Sequence, residues 1–380
     1  MPSPLGAESS RRLDPWPTTP SGAQILSETS SWKSTGSSSA AATNMGATIA
    51  SGSFNWGGAT LGTNGKIYCV PWDSTDILII DPVANTATRS AMGASLTGTV
   101  KWFGGALASN GLIYCAPYNS TNILIINPVA GTASRSAMGA TLTGTDKFQG
   151  AVLAPNGLIY CGPMSSTDIL IINPTAGTAT RSNMGATLTG TFKWQGMVLG
   201  PNGLIYGVPR EANDILIINP AAGTASRSTM GASLTGTTKW IGGVLAPNGL
   251  IYCIPSNATD ILIIDPANGT ATRSNMGANL TGSFKWLGGF LGPDGLIYGI
   301  PYDAQDVLII NPQAGTATRS NIGLTLTGSS KWVSGAVGTN GKMFAAPGAA
   351  TTILQITGPG SGSSFPAFTD AILSPYINKY

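Results

Sequence analysis

A repeat of 46 residues occupies most of the 380-residue chain and constrains its fold more than any other feature. One copy runs from Lys193 to Thr238, with the sequence KWQGMVLGPNGLIYGVPREANDILIINPAAGTASRSTMGASLTGTT. A seventh copy begins at Lys331 and fades after Ile356, and residues 41–54 (AATNMGATIASGSF) match the tail that it lacks. The first strand must therefore lie beside the last three, which makes the structure circular. The six complete copies begin at Asn55, Lys101, Lys147, Lys193, Lys239 and Lys285.

Each copy contains four short segments that are typical of β-strands. The first, WQGMVLG in the copy above, is followed by Asn202-Gly203, a pair that favours a two-residue hairpin because both positions favour positive φ. The third, DILIINP, is apolar at successive positions, which predicts burial on both faces. The fourth, TASRSTM, is polar, as expected of an outer edge strand. The sequence therefore predicts an all-β fold, a seven-bladed β-propeller with four antiparallel strands per blade, in which the N-terminal strand completes the last blade.

The repeats account for residues 41–358 and leave two terminal segments. Residues 1–40 are rich in Pro, Ser and Thr and show no periodicity, so we predict an arm that docks to other subunits. Residues 359–380 are apolar enough to predict packing against the ring. The N-terminus lacks the apolar segment of a secretory signal, and no apolar run is long enough to predict membrane insertion.

Composition excludes several kinds of chemistry. The chain has no histidine, which excludes catalytic sites and zinc sites that depend on imidazole. No dinucleotide, Walker or EF-hand motif occurs, so neither a cofactor nor a metal is predicted. A net charge of +3 is too small to indicate nucleic acid as a partner. The four cysteines share one repeat position that is Gly or Ala in other copies, which predicts small buried residues in a reducing compartment. They are Cys69, Cys115, Cys161 and Cys253.

Charged residues recur at two positions that start strands on the same face of the ring. Lysine opens the first strand of six copies, and an acid or amide opens the third. The copy without the lysine (Asn55) would meet the copy without the acid (Thr352) if each acid paired with the lysine of the next blade. We therefore predict ion pairs between blades, and the alternative is a cationic ring that binds phosphate or DNA. The predicted pairs are Asp76–Lys101, Asp168–Lys193, Asp214–Lys239, Asp260–Lys285 and Asp306–Lys331, with Asn122 before Lys147.

Differences among the copies are concentrated in the loop between the second and third strands and at the residue before the repeated lysine. Both lie on one face, and the aromatic and arginine residues there are of the types that anchor binding surfaces. The alternative is drift in loops that nothing constrains. The candidate ligand-binding residues are Trp72, Asp73, Tyr118, Asn119, Met164, Phe192, Arg210, Glu211, Phe284, Tyr302 and Asp303.

The pattern LxPNGxIYxxP followed by DxLxIDP resembles propellers of bacteriophage tail and receptor-binding proteins and of bacterial surface proteins. The resemblance implies a non-enzymatic virion protein, such as a tail fibre, spike or decoration subunit, made in the host cytoplasm. Other virion subunits would bind residues 1–40, and a host surface glycan is a candidate ligand. The alternatives are a free-standing, multivalent carbohydrate-binding lectin and a glycan-processing enzyme. No catalytic residue is predicted, because the non-repeated acids Asp73, Asp146, Glu211 and Asp303 lie on different blades.

Overall fold

The computed structural model describes residues 37–51 and 54–359. Their strands form seven four-stranded antiparallel sheets, and the innermost strands of consecutive sheets contact one another in a closed ring. The predicted seven-bladed propeller is therefore confirmed. Most of the predicted N-terminal arm and the C-terminal segment from residue 360 onward lie outside the described residues.

Within a blade, the strands are called A to D from the axis outward. The bounds, blade by blade, are as follows. Blade 1 has β2 (Trp56–Leu61), β3 (Ile67–Pro71), β4 (Ile77–Asp81) and β5 (Thr86–Ser90); blade 2 has β6 (Trp102–Leu107), β7 (Ile113–Pro117), β8 (Ile123–Asn127) and β9 (Thr132–Ser136). Blade 3 has β10 (Phe148–Leu153), β11 (Ile159–Pro163), β12 (Ile169–Asn173) and β13 (Thr178–Ser182); blade 4 has β14 (Trp194–Leu199), β15 (Ile205–Pro209), β16 (Ile215–Asn219) and β17 (Thr224–Ser228). Blade 5 has β18 (Trp240–Leu245), β19 (Ile251–Pro255), β20 (Ile261–Asp265) and β21 (Thr270–Ser274); blade 6 has β22 (Trp286–Leu291), β23 (Ile297–Pro301), β24 (Val307–Asn311) and β25 (Thr316–Ser320). Blade 7 has β26 (Trp332–Val337), β27 (Met343–Pro347), β28 (Ile353–Thr357) and, as its outer strand, β1 (Ser39–Thr43).

The ring closes through the outer strand of blade 7. Strand β1 pairs antiparallel with β28, in a register that runs from Ser39 opposite Thr357 to Thr43 opposite Ile353. The first strand of the described residues thus completes a sheet whose other strands are the last three of those residues, as predicted. Hydrogen bonds along this pair close the ring, so no blade of the described propeller is open.

Glycines let the inner strands approach closely at the axis. The third residue of strand A is glycine in six blades, and all six have positive φ, for example +102° at Gly196 and +75° at Gly242. A Cβ atom on Gly196 would lie 2.8 Å from the Cα of Gly242 in the next blade, and a Cβ on Gly242 would lie 2.8 Å from that of Gly288. These glycines line the axis with backbone, which leaves little room for side chains.

A tryptophan, an aspartate and an arginine join the strands in blades 1, 4, 5 and 6. In blade 4, Trp194 Nε1 donates a hydrogen bond to the backbone oxygen of Asp214 (2.8 Å), and the guanidinium of Arg227 lies 5.4 Å from the tryptophan ring centroid. Two guanidinium nitrogens of Arg227 donate to the Asp214 carboxylate at 3.0 and 2.7 Å. The third donates to the Thr187 oxygen of the loop that leaves blade 3 (2.8 Å). The repeated arginine therefore joins the strands within a blade and also joins two blades.

The repeated lysines bind backbone oxygens, which corrects the predicted Lys–Asp pairs. Lys193 is 2% exposed, and its Nζ donates to Met164 O (3.2 Å), Ser166 O (2.9 Å) and Gly190 O (2.8 Å). Within residues 37–51 and 54–359, none of these ammonium groups forms an ion pair with its predicted aspartate. The planar arginine guanidinium of strand D binds the aspartate carboxylate in bidentate geometry, as Arg227 does with Asp214. Loop carbonyl oxygens surround the lysine ammonium instead. The prediction of the pairs Asp76–Lys101, Asp168–Lys193, Asp214–Lys239, Asp260–Lys285 and Asp306–Lys331 is therefore wrong. These five aspartates pair instead with Arg89, Arg181, Arg227, Arg273 and Arg319, in that order.

The Asn-Gly hairpin also differs from the prediction. Gly203 has a φ of +78°, but Asn202 is not left-handed, and Gly203 N donates to Gly200 O. The connection is therefore a type I turn followed by a left-handed glycine, which is a longer loop than the two-residue hairpin predicted. Asn202 instead reaches the neighbouring blade, where its Nδ2 donates to Pro266 O (2.8 Å). Blade 6 has Asp294 at this position, and burial raises the pKa of that carboxyl.

Replacing the turn asparagine should show that this bond stabilises the ring. We expect Asn202→Asp to lose the donor, to set a carboxylate against the Pro266 oxygen and to destabilise the protein by about 1–3 kcal/mol. The thermal midpoint of wild type and variant, measured by circular dichroism, tests this. Asp294→Asn is the matched control and should be neutral or stabilising, because it removes a buried carboxylate. An unchanged midpoint in Asn202→Asp contradicts a stabilising inter-blade bond.

Candidate functional site

The candidate site lies on the face of the ring that carries the connections between strands B and C, which we call the axial face. In each B–C loop, the first residue lies near the axis, and its backbone oxygen accepts the N–H of the residue just before strand A of the next blade. The Arg210 oxygen, for example, accepts both the backbone N–H (3.1 Å) and the Nζ (2.7 Å) of Lys239. The lysines thus fix the loop backbone, and the side chain at this position is free to vary. The seven residues are Trp72, Tyr118, Met164, Arg210, Ser256, Tyr302 and Gly348.

The second residue of these loops was predicted to bind a ligand, but its side chain has a structural role. Asp73 Oδ1 accepts the backbone N–H of Val100 (2.7 Å), a residue held at a φ of +53°. The same contact recurs in other blades between a side-chain oxygen and an N–H 27 residues later. Six loops carry an Asp, Asn, Ser or Glu at this position, which is the pattern that could have indicated it. The equivalent acceptors are Asn119 (2.7 Å), Ser165 (3.2 Å), Glu211 (3.0 Å), Asn257 (2.7 Å) and Asp303 (2.6 Å).

Five aromatic side chains meet on one side of the axis, and we call them the aromatic cluster. Trp72 is at its centre, with ring centroids 4.7 Å from Tyr118, 5.3 Å from Phe103 and 5.6 Å from Phe54. Tyr302 completes the cluster, 6.3 Å from Phe54. The structure thus brings together three of the predicted residues and adds Phe54 and Phe103. Phe103 is the second residue of strand A, and this position differs in nearly every copy. That variation is the sequence signal that could have indicated it.

Two glycines make room for the aromatic cluster. A Cβ atom on Gly57 would lie 2.8 Å from the Phe103 ring and 3.2 Å from the Trp72 ring. A Cβ on Gly348 would lie 3.2 Å from the Phe54 ring. The other copies carry larger residues at both positions, so only blades 7 and 1 can accept rings there.

Arg210 supplies the positive charge on the opposite side of the axis. Its guanidinium carbon lies 5.0 Å from the Phe192 ring centroid, and its Nη1 donates to Gln195 Oε1 (3.0 Å). Its Nε lies 3.6 Å from the Glu211 carboxylate and has no hydrogen-bond partner. The guanidinium is thus positioned by stacking, by one hydrogen bond and by the Glu211 carboxylate. Because Nε is buried, a ligand would contact the terminal nitrogens.

The tyrosines of the cluster remain neutral donors at ordinary pH. Burial raises the pKa of Tyr118 well above its usual range, and the neighbouring Asp146 carboxylate raises it further. Burial likewise raises the pKa of Tyr302. The positive charge of Arg210 acts on both hydroxyl groups and lowers the pKa of Tyr118 and of Tyr302. For each tyrosine this effect is smaller than the effect of burial. The aromatic and cationic sides of the face are therefore close enough to interact.

The remaining predicted residues lie apart from this arrangement. Met164 is fully buried in the core cluster under the face. Phe284 is 42% exposed and has no place in the aromatic cluster, whereas Phe192 lies half-buried beneath Arg210.

Other kinds of site are not evident in the described part of the chain. Residues 37–51 and 54–359 contain no group of three His, Cys, Asp or Glu residues that could hold a metal ion. The four thiols are free and buried, and burial raises their pKa, so they are poor nucleophiles. Within the same residues, no helix has the length and apolarity needed to cross a membrane.

Comparison with known proteins shows which fold this protein shares with solved structures, and it shows no more than the fold. No family model and no curated protein matches the chain. A catalytically inactive histidine-to-alanine variant of Staphylococcus aureus virginiamycin B lyase, solved with quinupristin, is 15% identical with a TM-score of 0.66, covering 84% of this chain and 99% of that one. Kuenenia stuttgartiensis hydrazine synthase is 13% identical (TM-score 0.60; 82% and 98% covered). An auxiliary nutrient-binding protein of Bacteroides ovatus is 11% identical (TM-score 0.53; 84% and 76% covered).

These comparisons correct the predicted function. The prediction of a non-enzymatic virion or receptor-binding protein is wrong, because the structures above with this fold are two enzymes and a nutrient-binding protein. The prediction that the chain is not an enzyme is wrong for the same reason, since the proteins with this fold include a lyase and a hydrazine synthase. The likeness to phage propellers is not shown. At 11–15% identity the similarity establishes the fold, and no relative's reaction is transferred to this chain.

The buried lysines should give the protein an alkaline stability maximum. Burial lowers the pKa of Lys101, Lys147, Lys193, Lys239 and Lys285 to about 8, against about 10.4 for an unfolded lysine. Between these values the unfolded chain binds more protons, so stability rises with pH. We expect the thermal midpoint to be higher at about pH 9.5 than at about pH 7.5.

The buried thiols provide the control for this pH dependence. Unfolded cysteines ionise above about pH 8.5 while the folded thiols stay protonated, which opposes the rise. Replacing all four cysteines by alanine, the residue that blade 7 carries, should therefore steepen it. A midpoint that falls from pH 7.5 to 9.5 in both proteins contradicts the prediction.

Proposed function

We propose that the axial face binds a small organic molecule that carries an aromatic ring and an anionic group. The observation that carries this proposal is the placement of the aromatic cluster across the axis from Arg210. The cluster belongs to blades 6, 7, 1 and 2, and Arg210 belongs to blade 4, which lies opposite in a ring of seven. A molecule spanning the axis would meet both.

The chemistry of the two sides supports this ligand class. Offset and edge-to-face contacts with aromatic rings stabilise a bound ring by about 0.5–1.5 kcal/mol per pair beyond area burial. A guanidinium binds carboxylate or phosphate oxygens with two parallel hydrogen bonds. Trp72, Tyr302 and Arg210 are only partly buried, so a ligand can reach them.

Differences among the blades also support a ligand site. Nearly every blade keeps the lysine before strand A, the side-chain oxygen at the second loop position and the tryptophan at the start of strand A. Each of these side chains has a hydrogen-bond partner in the ring. The first loop residue has no such constraint on its side chain, yet it places aromatic groups on one side of the axis and an arginine on the other. This asymmetry is not required to close a sevenfold ring.

Two of the similar propellers support the ligand class in a general way. The lyase structure contains quinupristin, and the Bacteroides ovatus protein is named for nutrient binding. An inactive variant of that lyase lacks a histidine, and this chain contains no histidine at all. Turnover of a ligand here would therefore depend on other groups.

Binding of indole-3-propionate, measured by isothermal titration calorimetry, tests the proposal. We expect wild type to bind it and Trp72→Ala and Arg210→Met each to weaken binding about tenfold or more, because each removes one of the two contacts. Arg135→Met, the same substitution on the outer strand of blade 2, is the control and should bind as wild type does. Mass spectrometry of the recovered probe distinguishes binding from turnover. Absence of binding to wild type at millimolar probe, or equal binding by all four proteins, would reject the site.

A further inference from the structure

A small cavity lies on the axis where the ring meets the axial face. Its volume is about 40 Å³, and it is lined by the second and third residues of the inner strands, including Phe103, Gln149, Ile241 and Leu287. Phe103 is also a member of the aromatic cluster, so the cavity adjoins the proposed ligand site. It has room for a few atoms of a ligand and not for a whole aromatic molecule.

Gln149 is a buried polar residue without a complete set of partners. It is 2% exposed, and its Oε1 has no hydrogen-bond partner. An unsatisfied buried acceptor costs about 1–3 kcal/mol. Gln195 has the same position in the next blade, but its Oε1 accepts a bond from Arg210.

The fold does not require glutamine at this position. The other five blades carry glycine or an apolar residue there, and they build the same inner strand. The unsatisfied oxygen of Gln149 therefore lowers the stability of the ring, and no contact within the ring offsets this. A ligand group that donates a hydrogen bond into the cavity would satisfy its oxygen. The five residues are Gly57, Phe103, Ile241, Leu287 and Val333.

We propose that Gln149 determines specificity at the axial face by accepting a hydrogen bond from an N–H or O–H group on the aromatic part of the ligand. This inference rests on the proposed function and narrows its ligand to aromatic acids with one neutral donor on the ring, such as indole or phenol acids. Among the described lining residues, Gln149 is the one with a buried side-chain oxygen that lacks a partner. A divalent cation would need about six oxygen ligands, and an ammonium would bring three donors to this single acceptor.

A matched pair of probes tests the proposal on the full-length protein. Indole-3-propionate and 1-methylindole-3-propionate differ only in the ring N–H. We expect wild type to bind the N–H probe at least about tenfold more tightly, because the methylated probe leaves the Gln149 oxygen unsatisfied. Gln149→Leu should remove this preference, and Gln195→Leu should weaken both probes alike while retaining it.

The stability of the ligand-free variants gives a second readout. Gln149→Leu should keep or raise the thermal midpoint, because it removes an unsatisfied acceptor, whereas Gln195→Leu should lower it. A drop in Gln149→Leu as large as in Gln195→Leu overturns the inference, since Gln149 would then be bonded in the ring. Equal binding of both probes by wild type also overturns it and leaves the proposed function standing. If neither probe binds, the proposed function fails, and this inference fails with it.

Discussion

A buried lysine at six of the seven blade interfaces positions the loops of the axial face. Five of the six repeated lysines donate from Nζ to the preceding B–C loop. In blade 4 the three oxygens around Lys193 come from that loop and from the connection just before the lysine. An ammonium removed from water needs such partners, and carbonyl oxygens removed from water need donors. The two requirements satisfy each other. All seven loops also accept a backbone N–H from the residue just before the next blade's strand A. Because these bonds fix the loop backbone, the first side chain of the loop can change without loss of the ring.

The proposed site depends on this division between fixed backbone and variable side chains. Asp73 and its counterparts hold the connection into the next blade, while Trp72 and its counterparts project toward the axis. Glycine at two positions on blades 7 and 1 then allows five aromatic rings to meet. A nearly symmetric scaffold thus carries an asymmetric face, with an aromatic side and a cationic side. Ligand recognition on repeat scaffolds is commonly built on such departures from the repeat.

Sequence periodicity predicted the ring and its closure, because a divided seventh copy has no other way to bury its strands. It also located the loops that form the axial face, since copies differ there. It was less informative about side-chain partners. Counting matched charges suggested Lys–Asp pairs, yet Asp214 is taken by Arg227 of its own blade, and Lys193 is bound by carbonyls that carry no sequence signal. Likewise, Asp73 and Trp72 are adjacent in the chain and both were predicted to bind a ligand, but only the Trp72 side chain belongs to the candidate site.

The sequence by itself determined the number of blades, the order of strands and the face on which variation is concentrated, because these follow from local patterns repeated along the chain. Only the tertiary structure decided which variable residues meet. Phe54, Phe103 and Tyr302 are far apart in sequence and come together because closure places blades 6, 7, 1 and 2 side by side. It also showed that Gln149 lacks the partner that Gln195 has. Satisfaction of a buried polar atom depends on distances across the ring, and no spacing in the chain encodes them.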